Sequence, residues 1–266
     1  MKLANKRIIL TGAAGGIGSE VAKQLAKKGA HLALVDRNVE QLEKTANEIT
    51  PFGSRIAIIA ADLTSEAGRR SVIDQALKTY GEVDMLINLA GMMSFADFSA
   101  EDPMVTELLY KVNVLAPLHL TQALLPHMIE HGKGQIVNIG SIFGSIAFAY
   151  FATYSSTKFA LRGFSEALRR ELEGTGINVT YIAPRAARTG FNNDAINKMS
   201  SAVKMNMDTP AVVATHIIRA IEKDAKDYYI GWPESLFVRI NALFPRIVDL
   251  AVKKQNQITR DFAREH

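Results

Sequence analysis

Residues 7–36 read RIILTGAAGGIGSEVAKQLAKKGAHLALVD, and this stretch decides the fold. Two short apolar runs, at residues 7–11 and 31–36, enclose a glycine-rich turn and a segment of helical periodicity at 17–28. Glycines after a strand allow a tight turn and let the backbone approach a pyrophosphate, while the N–H groups at the helix start face the anion. The stretch therefore predicts a strand–helix–strand unit that binds a dinucleotide.

The second strand of this unit ends in an acid. Asp36 comes eighteen residues after Gly18, where a carboxylate can accept hydrogen bonds from ribose hydroxyls. A carboxylate repels a 2′-phosphate, and the glycine turn holds no Lys or Arg, so NAD(H) is favoured over NADP(H). Arg37 follows directly and can offset that repulsion, which keeps NADP(H) open. The predicted cofactor-binding residues of this unit are Gly12, Gly16, Ile17, Gly18 and Asp36.

The alternation of strand and helix continues along the chain. Runs rich in Ile, Val and Leu recur, separated by helical patterns such as 39–49 and 152–173. Strands that are apolar throughout are covered on both faces, and strand–helix alternation indicates a parallel sheet. We predict an α/β fold with a doubly wound (Rossmann-type), mostly parallel seven-stranded sheet and helices on both faces. The predicted strands are residues 7–11, 31–36, 55–60, 83–89, 135–140, 178–182 and 227–230.

Composition narrows the class of protein. The chain has 266 residues without a linker or repeat, so residues 1–266 are predicted to form one domain. It has no cysteine, which excludes disulfides and thiolate metal sites and suits a cytoplasmic protein. The net charge is +4, with Lys and Arg scattered among acids, so no nucleic-acid binding is predicted. No stretch approaches the roughly 18 apolar residues that span a bilayer.

A second motif begins the helical segment 152–173. Tyr154 and Lys158 are four residues apart and share one helical face. A phenol with a pKa of about 10 is a poor base at neutral pH, and a nearby ammonium is predicted to bring it near 7. Ser141 follows the strand at 135–140, so its hydroxyl can hold a substrate oxygen while Tyr154 gives or takes the proton. Asn113 can bend its helix and hold a water against Lys158 that relays protons outward.

One motif points to a metal only in form. His127-Met128-Ile129-Glu130-His131 has the spacing of a zinc signature. It stands at the end of a predicted helix, before Gly132, and the sequence offers no obvious third ligand. We interpret it as a polar helix end and predict no metal site.

Together these residues closely resemble the short-chain dehydrogenase/reductase family, over roughly residues 5–230. The motifs that carry the resemblance are Thr11-Gly12-x-x-x-Gly16-x-Gly18, Asp62, Asn88-Leu89-Ala90-Gly91, Asn113, Ser141, Tyr154 and Lys158. The resemblance implies a catalytic tetrad of Asn113, Ser141, Tyr154 and Lys158, the last two also binding the cofactor. It implies further cofactor contacts, to adenine from Asp62 and Leu63, to the nucleotide from Asn88 and Ala90, and to the nicotinamide carboxamide from Thr189. It also implies a homodimer or homotetramer.

The chain departs from the family pattern at two positions. Leu89 stands where the family often has a second Asn, which changes how the central strands are tied together. Pro184 is followed by Arg185 rather than Gly, and Arg188 adds a second cation. These arginines either bind the cofactor phosphates or an acidic substrate tail, or lie on the surface of a mobile lid.

Apolar side chains mark two more regions. The loops expected at the site are rich in apolar side chains, which line a pocket for a lipophilic substrate or pack in the core or between subunits. These side chains are Met92, Met93, Phe95, Phe98, Phe143, Phe148, Tyr150 and Phe151.

Residues 232–266 form a predicted amphipathic helical extension, divided at Pro245 and flanked by basic residues. Such a stripe more often packs on its own domain, covers the cleft or joins subunits, and contact with a membrane surface is the alternative.

The sequence therefore predicts an oxidoreductase that transfers a hydride between NAD(P)(H) and an alcohol or carbonyl group of a small, lipophilic substrate. The same fold also supports reduction of C=C bonds, epimerisation or dehydration. A different class, a non-catalytic dinucleotide sensor or structural subunit, is disfavoured because Tyr154 and Lys158 are both present.

Overall fold

A computed structural model of the chain describes residues 2–264, so residues 1, 265 and 266 of the predicted domain and extension lie outside the described residues. Within that range the strands are β1 Arg7–Thr11, β2 His31–Asp36, β3 Ile56–Ala60, β4 Met85–Asn88, β5 Gly134–Ile139, β6 Ile177–Ala183 and β7 Asp227–Tyr229. They form one sheet in the order β3-β2-β1-β4-β5-β6-β7, and every pairing is parallel. The predicted doubly wound seven-stranded fold is confirmed.

Ten α-helices accompany these strands in the described part of the chain. They are α1 Gly16–Lys27, α2 Val39–Ile49, α3 Glu66–Tyr80, α4 Pro103–Tyr110, α5 Ala116–Glu130, α6 Ala152–Glu171, α7 Asp194–Ala202, α8 Pro210–Glu222, α9 Glu234–Leu243 and α10 Pro245–Arg264. Helices α1, α2 and α8 cover one face of the sheet. Helices α3, α5 and α6 cover the other.

The strands are apolar throughout because both faces of the sheet are buried. In β1, Ile8 and Leu10 face the core under α1 and α8. Ile9, between them, faces the core under α3 and α5. All three side chains are fully buried. This arrangement explains the absence of polar alternation that the sequence shows.

The strand order reverses between β1 and β4, and a single hydroxyl joins the two strand ends. Thr11 Oγ1 accepts hydrogen bonds from Leu89 N at 3.0 Å and Ala90 N at 3.1 Å, and donates to Ile87 O at 3.3 Å. Strand β4 therefore ends at Asn88, earlier than the predicted 83–89, because the following N–H groups leave the sheet ladder for a side chain. A doubly wound sheet binds its ligands in the crevice at such a reversal.

The C-terminal helices pack on the loop that follows β5. Val238 of α9 and Val248 of α10 are buried against Ile142 and Ile146. The extension divides at Pro245, as predicted, since α9 ends at Leu243 and α10 begins at Pro245. Among residues 2–264, no helix combines the length and apolarity that crossing a membrane requires.

Candidate active site

The turn after β1 is shaped by glycines that no other residue can replace. Gly12 has a φ of +71°, and a Cβ there would lie 2.8 Å from Ala90 N. A Cβ on Gly18 would lie 1.9 Å from Gly12 O. Gly15 precedes α1 and offers the helix start no side-chain cap. The backbone N–H groups in the first turn of α1 therefore have no side-chain cap and are available to bind an anion.

A cleft of about 740 Å³ runs from this turn to the predicted catalytic residues. Of the predicted cofactor residues, it is lined by Gly16, Ile17, Asp36, Tyr154, Lys158 and Thr189. Thr189 faces the turn, since a Cβ on Gly16 would lie 3.2 Å from Thr189 Cγ2. A glycine cradle at one end and a proton-transfer group at the other fit a nicotinamide dinucleotide.

The Asp36 carboxylate is fixed at the rim of the cleft by backbone donors. Its Oδ2 accepts from Ala14 N at 3.3 Å, and its Oδ1 accepts from Arg37 N at 2.8 Å and Asn38 N at 3.2 Å. Arg37 and Asn38 also line the cleft. A charge held in this way is placed to discriminate between a ribose hydroxyl and a phosphate.

Tyr154, Lys158 and Ser141 meet at the other end of the cleft. Tyr154 and Lys158 are buried, and Lys158 Nζ lies 5.7 Å from the centroid of the Tyr154 ring. The Tyr154 hydroxyl is hydrogen-bonded to Ser141, whose Oγ also accepts from Phe143 N at 3.1 Å. Lys158 Nζ donates to the carbonyl of Ile139, the last residue of β5, at 3.2 Å. The helix start and the strand end thus bring the three side chains together.

The expected acidification of the phenol is not what these contacts produce. Burial raises the pKa of Tyr154 to about 12, and the hydrogen bond with Ser141 lowers it by less. Burial also lowers the pKa of Lys158 to about 8. Burial of both groups therefore opposes the expected acidification, because desolvation disfavours the phenolate and the ammonium alike. A phenol pKa near 7 beside an oxidised nicotinamide stays a prediction.

Asn113 lies behind Lys158, in a π-helical turn at Lys111–Leu115 that interrupts the helix as predicted. Its Oδ1 accepts from Met92 N at 2.7 Å, and its Nδ2 donates to Met92 O at 2.8 Å and Thr157 Oγ1 at 3.1 Å. A Cβ on Gly91 would lie 3.3 Å from Asn113 Oδ1 and 3.7 Å from Lys158 Nζ. Gly91 therefore keeps open the space between these two groups.

The other cofactor residues that the resemblance implied lie outside the lining of the cleft. Asn88 is buried and donates to Asn138 Oδ1 at 2.9 Å, so its side chain ties β4 to β5. Ala90 is held by Thr11, and Leu63 is buried in the core under α3. Gly12 and Gly18 shape the turn without lining the cleft. The side chain of Asn88 thus has a role inside the sheet, and the contact of this residue with the nucleotide stays a prediction.

Asp62 follows β3 next to the end of β2, because Ala61 N donates to Asp36 O at 3.0 Å. Its Oδ1 accepts from Thr64 N at 2.9 Å and Thr64 Oγ1 at 2.8 Å. These hydrogen bonds lower the pKa of Asp62, with smaller contributions from Arg37 and Arg69. The carboxylate caps its own loop, and its contact with adenine stays a prediction.

Arg185 does not present a free cation to the cleft. Its Nε and Nη2 bind the Asp208 carboxylate at 2.9 and 2.7 Å, and its Nη1 binds Glu234 Oε2 at 3.1 Å. Both carboxylates raise the pKa of Arg185 above its ordinary value. Expected roles on a phosphate or an acidic substrate are therefore corrected to a clasp between the loop after β6 and α9. Arg188 donates to Met207 O at 3.4 Å.

The substrate end of the cleft has apolar walls. Phe95, Phe151 and Tyr154 share one buried cluster, against which Met92, Met93 and Phe143 pack. Phe98 is 67% exposed and stands apart from it. Helix α7 and the loop after it add four residues to the lining that were not predicted from the sequence, namely Ile196, Met199, Met205 and Met207. The helical spacing of Ile196 and Met199 is the signal that points to them.

Tyr181, which was also not predicted from the sequence, supports the loop that carries Ser141. Tyr181 of β6 is fully buried, and its hydroxyl donates to Ser141 O at 3.2 Å. A Cβ on Gly140 would lie 2.3 Å from the Tyr181 ring, and one on Gly144 would lie 2.5 Å from its hydroxyl. Glycines on both sides of Ser141 therefore admit the ring that supports it.

Known proteins resemble this chain in sequence and in fold. The sequence profile of the short chain dehydrogenase family matches residues 6–201. A ketoacyl reductase from Nostoc is 32% identical over 86% of this chain and 79% of that protein. Estradiol 17-beta-dehydrogenase 11 from Rattus norvegicus is 29% identical over 96% of this chain and 85% of that protein. The 3-ketoacyl-(acyl-carrier-protein) reductase of Brucella melitensis, solved with NADH, has a TM-score of 0.80 and 27% identity, covering 88% of this chain and 99% of that chain.

Proposed function

Because the chain belongs to the short-chain dehydrogenase/reductase family and is a nicotinamide-dinucleotide-dependent oxidoreductase, we propose that it interconverts lipophilic alcohols and their ketones or aldehydes with NAD(H). The convergence of Tyr154, Lys158 and Ser141 at one end of a cleft whose other end holds the glycine turn carries this proposal. A nicotinamide dinucleotide held between the glycine turn and Tyr154 would supply or accept the hydride. The protein's own residues supply the proton and hold the substrate.

Tyr154 is proposed as the proton donor and acceptor. With its pKa raised to about 12, the phenol is protonated at neutral pH and suits transfer of its proton to the oxygen of a carbonyl undergoing reduction. Ser141, already hydrogen-bonded to Tyr154, orients that oxygen. Lys158 places a cation beside the phenol as it loses its proton, and Asn113 supports the path by which a proton returns.

The apolar walls support a lipophilic substrate. Two cations line the cleft at this end, namely Lys158, assigned to proton transfer, and Arg185, which is paired with Asp208 and Glu234. An acidic substrate tail thus finds no free partner among these two groups. Estradiol, after which one relative is named, is a lipophilic alcohol of this class.

NAD(H) is proposed over NADP(H) because Asp36 holds a carboxylate at the cleft rim, where a 2′-phosphate would be repelled. Arg37 lines the same rim, where its cation can offset part of that repulsion. Asp36 and Arg37 together therefore set the preference.

Assembly into a homodimer or homotetramer is also proposed. Tyr110, Leu115 and Phe159 are 37, 42 and 41% exposed, and Tyr110 bonds Ser156 of α6 at 2.9 Å, which places α4 and α6 side by side. Exposed apolar side chains on neighbouring helices favour association. A cytoplasmic location and the lack of nucleic-acid partners stay predictions.

The test is a fluorescence titration with NADH and NADPH, followed by turnover on a panel of lipophilic ketones and alcohols. Tyr154→Phe should lower kcat by about 10²–10⁴-fold while the Kd for NADH changes by less than about twofold, because the phenol transfers a proton without holding the glycine end of the cleft. Tyr228→Phe, which loses a hydroxyl bonded to His216 far from the cleft, is the control. Comparable turnover by Tyr154→Phe and wild type would refute the assignment.

A further inference from the structure

Five exposed apolar side chains on α9, on α10 and at the junction between them make up what we call the C-terminal ridge. They are Leu236, Leu243, Phe244, Ile247 and Leu250, exposed by 39, 74, 58, 58 and 74%. Trp232, at the approach to α9, is 71% exposed. The predicted packing of this stripe on its own domain therefore holds only for its other side, where Val238 and Val248 are buried.

The exposed side chains repeat the same spacing on both helices. Leu236, Arg239 and Leu243 recur at intervals of three and four residues along α9. Ile247, Leu250 and Lys254 do the same along α10. Residues at this spacing lie on one helical face, so each helix presents two apolar side chains and one cation together.

The charge around the ridge is predominantly positive. Residues 234–264 contain six basic side chains and three acidic ones, which are Arg239, Arg246, Lys253, Lys254, Arg260 and Arg264 against Glu234, Asp249 and Asp261. Asp249 pairs with Arg246 at 3.4 Å, and Asp261 pairs with Arg260 at 3.8 Å. This segment therefore carries a net charge of +3, most of the +4 of the whole chain.

We propose that the C-terminal ridge docks on an anionic phospholipid membrane, with α9 and α10 lying in the plane of the interface. Apolar side chains that emerge between cations match the acyl boundary below and the anionic headgroups beside it. A second copy is a poorer occupant, because a two-fold contact through this face would set the same cations against each other. The proposal does not depend on the reaction catalysed.

The ridge stands on the substrate side of the molecule. The buried side of α9 and α10 packs on Ile142 and Ile146, next to Ser141. Farther along α10, Ala263 is buried in the cluster that contains Tyr154. A docked protein would thus hold its cleft near the bilayer. This position would favour uptake of substrate only if the substrate is lipophilic, as proposed above.

Co-sedimentation with vesicles tests the proposal. The full-length protein is mixed with vesicles of phosphatidylcholine alone or of phosphatidylcholine with phosphatidylglycerol, at low and high salt. Wild type should bind the anionic vesicles more tightly than the neutral ones, and salt should weaken that binding. Lys253→Gln/Lys254→Gln should lose about 25-fold in affinity for anionic vesicles, and Leu243→Ser/Leu250→Ser should lose at least about tenfold on both kinds.

The controls are Lys44→Gln/Lys78→Gln and Ile129→Ser, which remove exposed cations and an exposed apolar side chain far from the ridge. They should bind as wild type does, and circular dichroism of every variant should match it. Wild type that fails to bind anionic vesicles, or ridge variants that bind like their controls, would overturn the proposal. A ridge variant that instead reduces the oligomer size, without any vesicle binding by wild type, would assign the ridge to a second copy.

Discussion

At the scale of single residues, the proposed preference for NAD(H) rests on the Asp36 carboxylate at the rim of the cleft. A carboxylate about 4 Å from a phosphate is repelled by about 1 kcal/mol in water and about 4 kcal/mol at an effective dielectric of 20. Asp36→Asn removes the charge and keeps an oxygen for the N–H groups of Arg37 and Asn38, while its NH₂ group replaces the oxygen that accepts from Ala14 N. We expect the ratio of kcat/KM for NADH over NADPH to fall by at least about fivefold.

The control for Asp36 is Asp74→Asn. Its carboxylate is 68% exposed, pairs with Arg70 on α3 and lies outside the lining of the cleft, so its removal should leave the ratio within about twofold of wild type. An unchanged ratio in Asp36→Asn, or an equal fall in Asp74→Asn, would contradict the role of Asp36 in cofactor choice.

Lys158 couples stability to pH. Its pKa is 10.5 in the unfolded chain and about 8 in the folded protein, because burial disfavours the ammonium. Between these pH values the unfolded chain binds more protons, so the contribution of Lys158 to the free energy of unfolding rises with pH. Below pH 8 the buried charge costs the folded state up to about 3 kcal/mol. Lys158→Met should therefore be more stable than wild type at pH 7.

Urea unfolding at pH 7 and pH 10 measures this effect. The stability advantage of Lys158→Met should shrink as pH rises from 8 to 10, where wild-type Lys158 is neutral in the folded state. Lys78→Met, at an exposed position, should show no such trend. An advantage that stays constant across this range would mean that Lys158 folds without losing its proton affinity.

At the scale of elements, Arg185 joins the loop after β6 to the loop before α8 and to the start of α9. The side chains of Arg185 and Asp208 are 20 and 12% exposed, and the contact is bidentate. Partly buried charges with this geometry lose much when one partner is removed. A double-mutant cycle with Arg185→Met and Asp208→Asn should give a coupling energy of about 2 kcal/mol in urea unfolding.

The pair Arg246 and Asp249 provides the matched comparison. Its side chains are 94 and 64% exposed and 3.4 Å apart, so its coupling energy should be below about 0.5 kcal/mol. If the two cycles gave equal energies, Arg185 would be an ordinary surface ion pair and not a clasp between elements.

The elements themselves were predictable wherever their signal is local. β1 and β2 follow from continuous apolar runs, and the shared face of Tyr154 and Lys158 follows from a four-residue spacing. The end of β4 was not predictable, because a threonine hydroxyl 78 residues away in sequence captures the next N–H group. The partners of Arg185 lie 23 and 49 residues away and were hidden for the same reason.

At the scale of the whole molecule, the complete fold determines which apolar side chains are buried, and the spacing of residues in the sequence does not. The sequence indicates an apolar stripe in residues 232–266 but not which side of each helix meets the core. Leu243 and Val248 belong to the same pattern, and one is 74% exposed while the other is 9% exposed. The pKa of Tyr154 is decided in the same way, since its largest cause is desolvation by the complete fold.

The exposed face of α4 and α6 yields the last prediction, which concerns assembly. Phe159 is 41% exposed and lies next to Lys158 on α6. If two copies meet on this face, Phe159→Glu places an unpaired carboxylate in the interface, and such a buried charge costs several kcal/mol. The variant should sediment as a monomer where wild type sediments as a dimer or tetramer, with an unchanged circular dichroism spectrum. Ile129→Glu, at a site 48% exposed near the end of α5, should leave the assembly intact. A monomeric wild type at micromolar concentration, or equal dissociation in both variants, would remove this face as the interface.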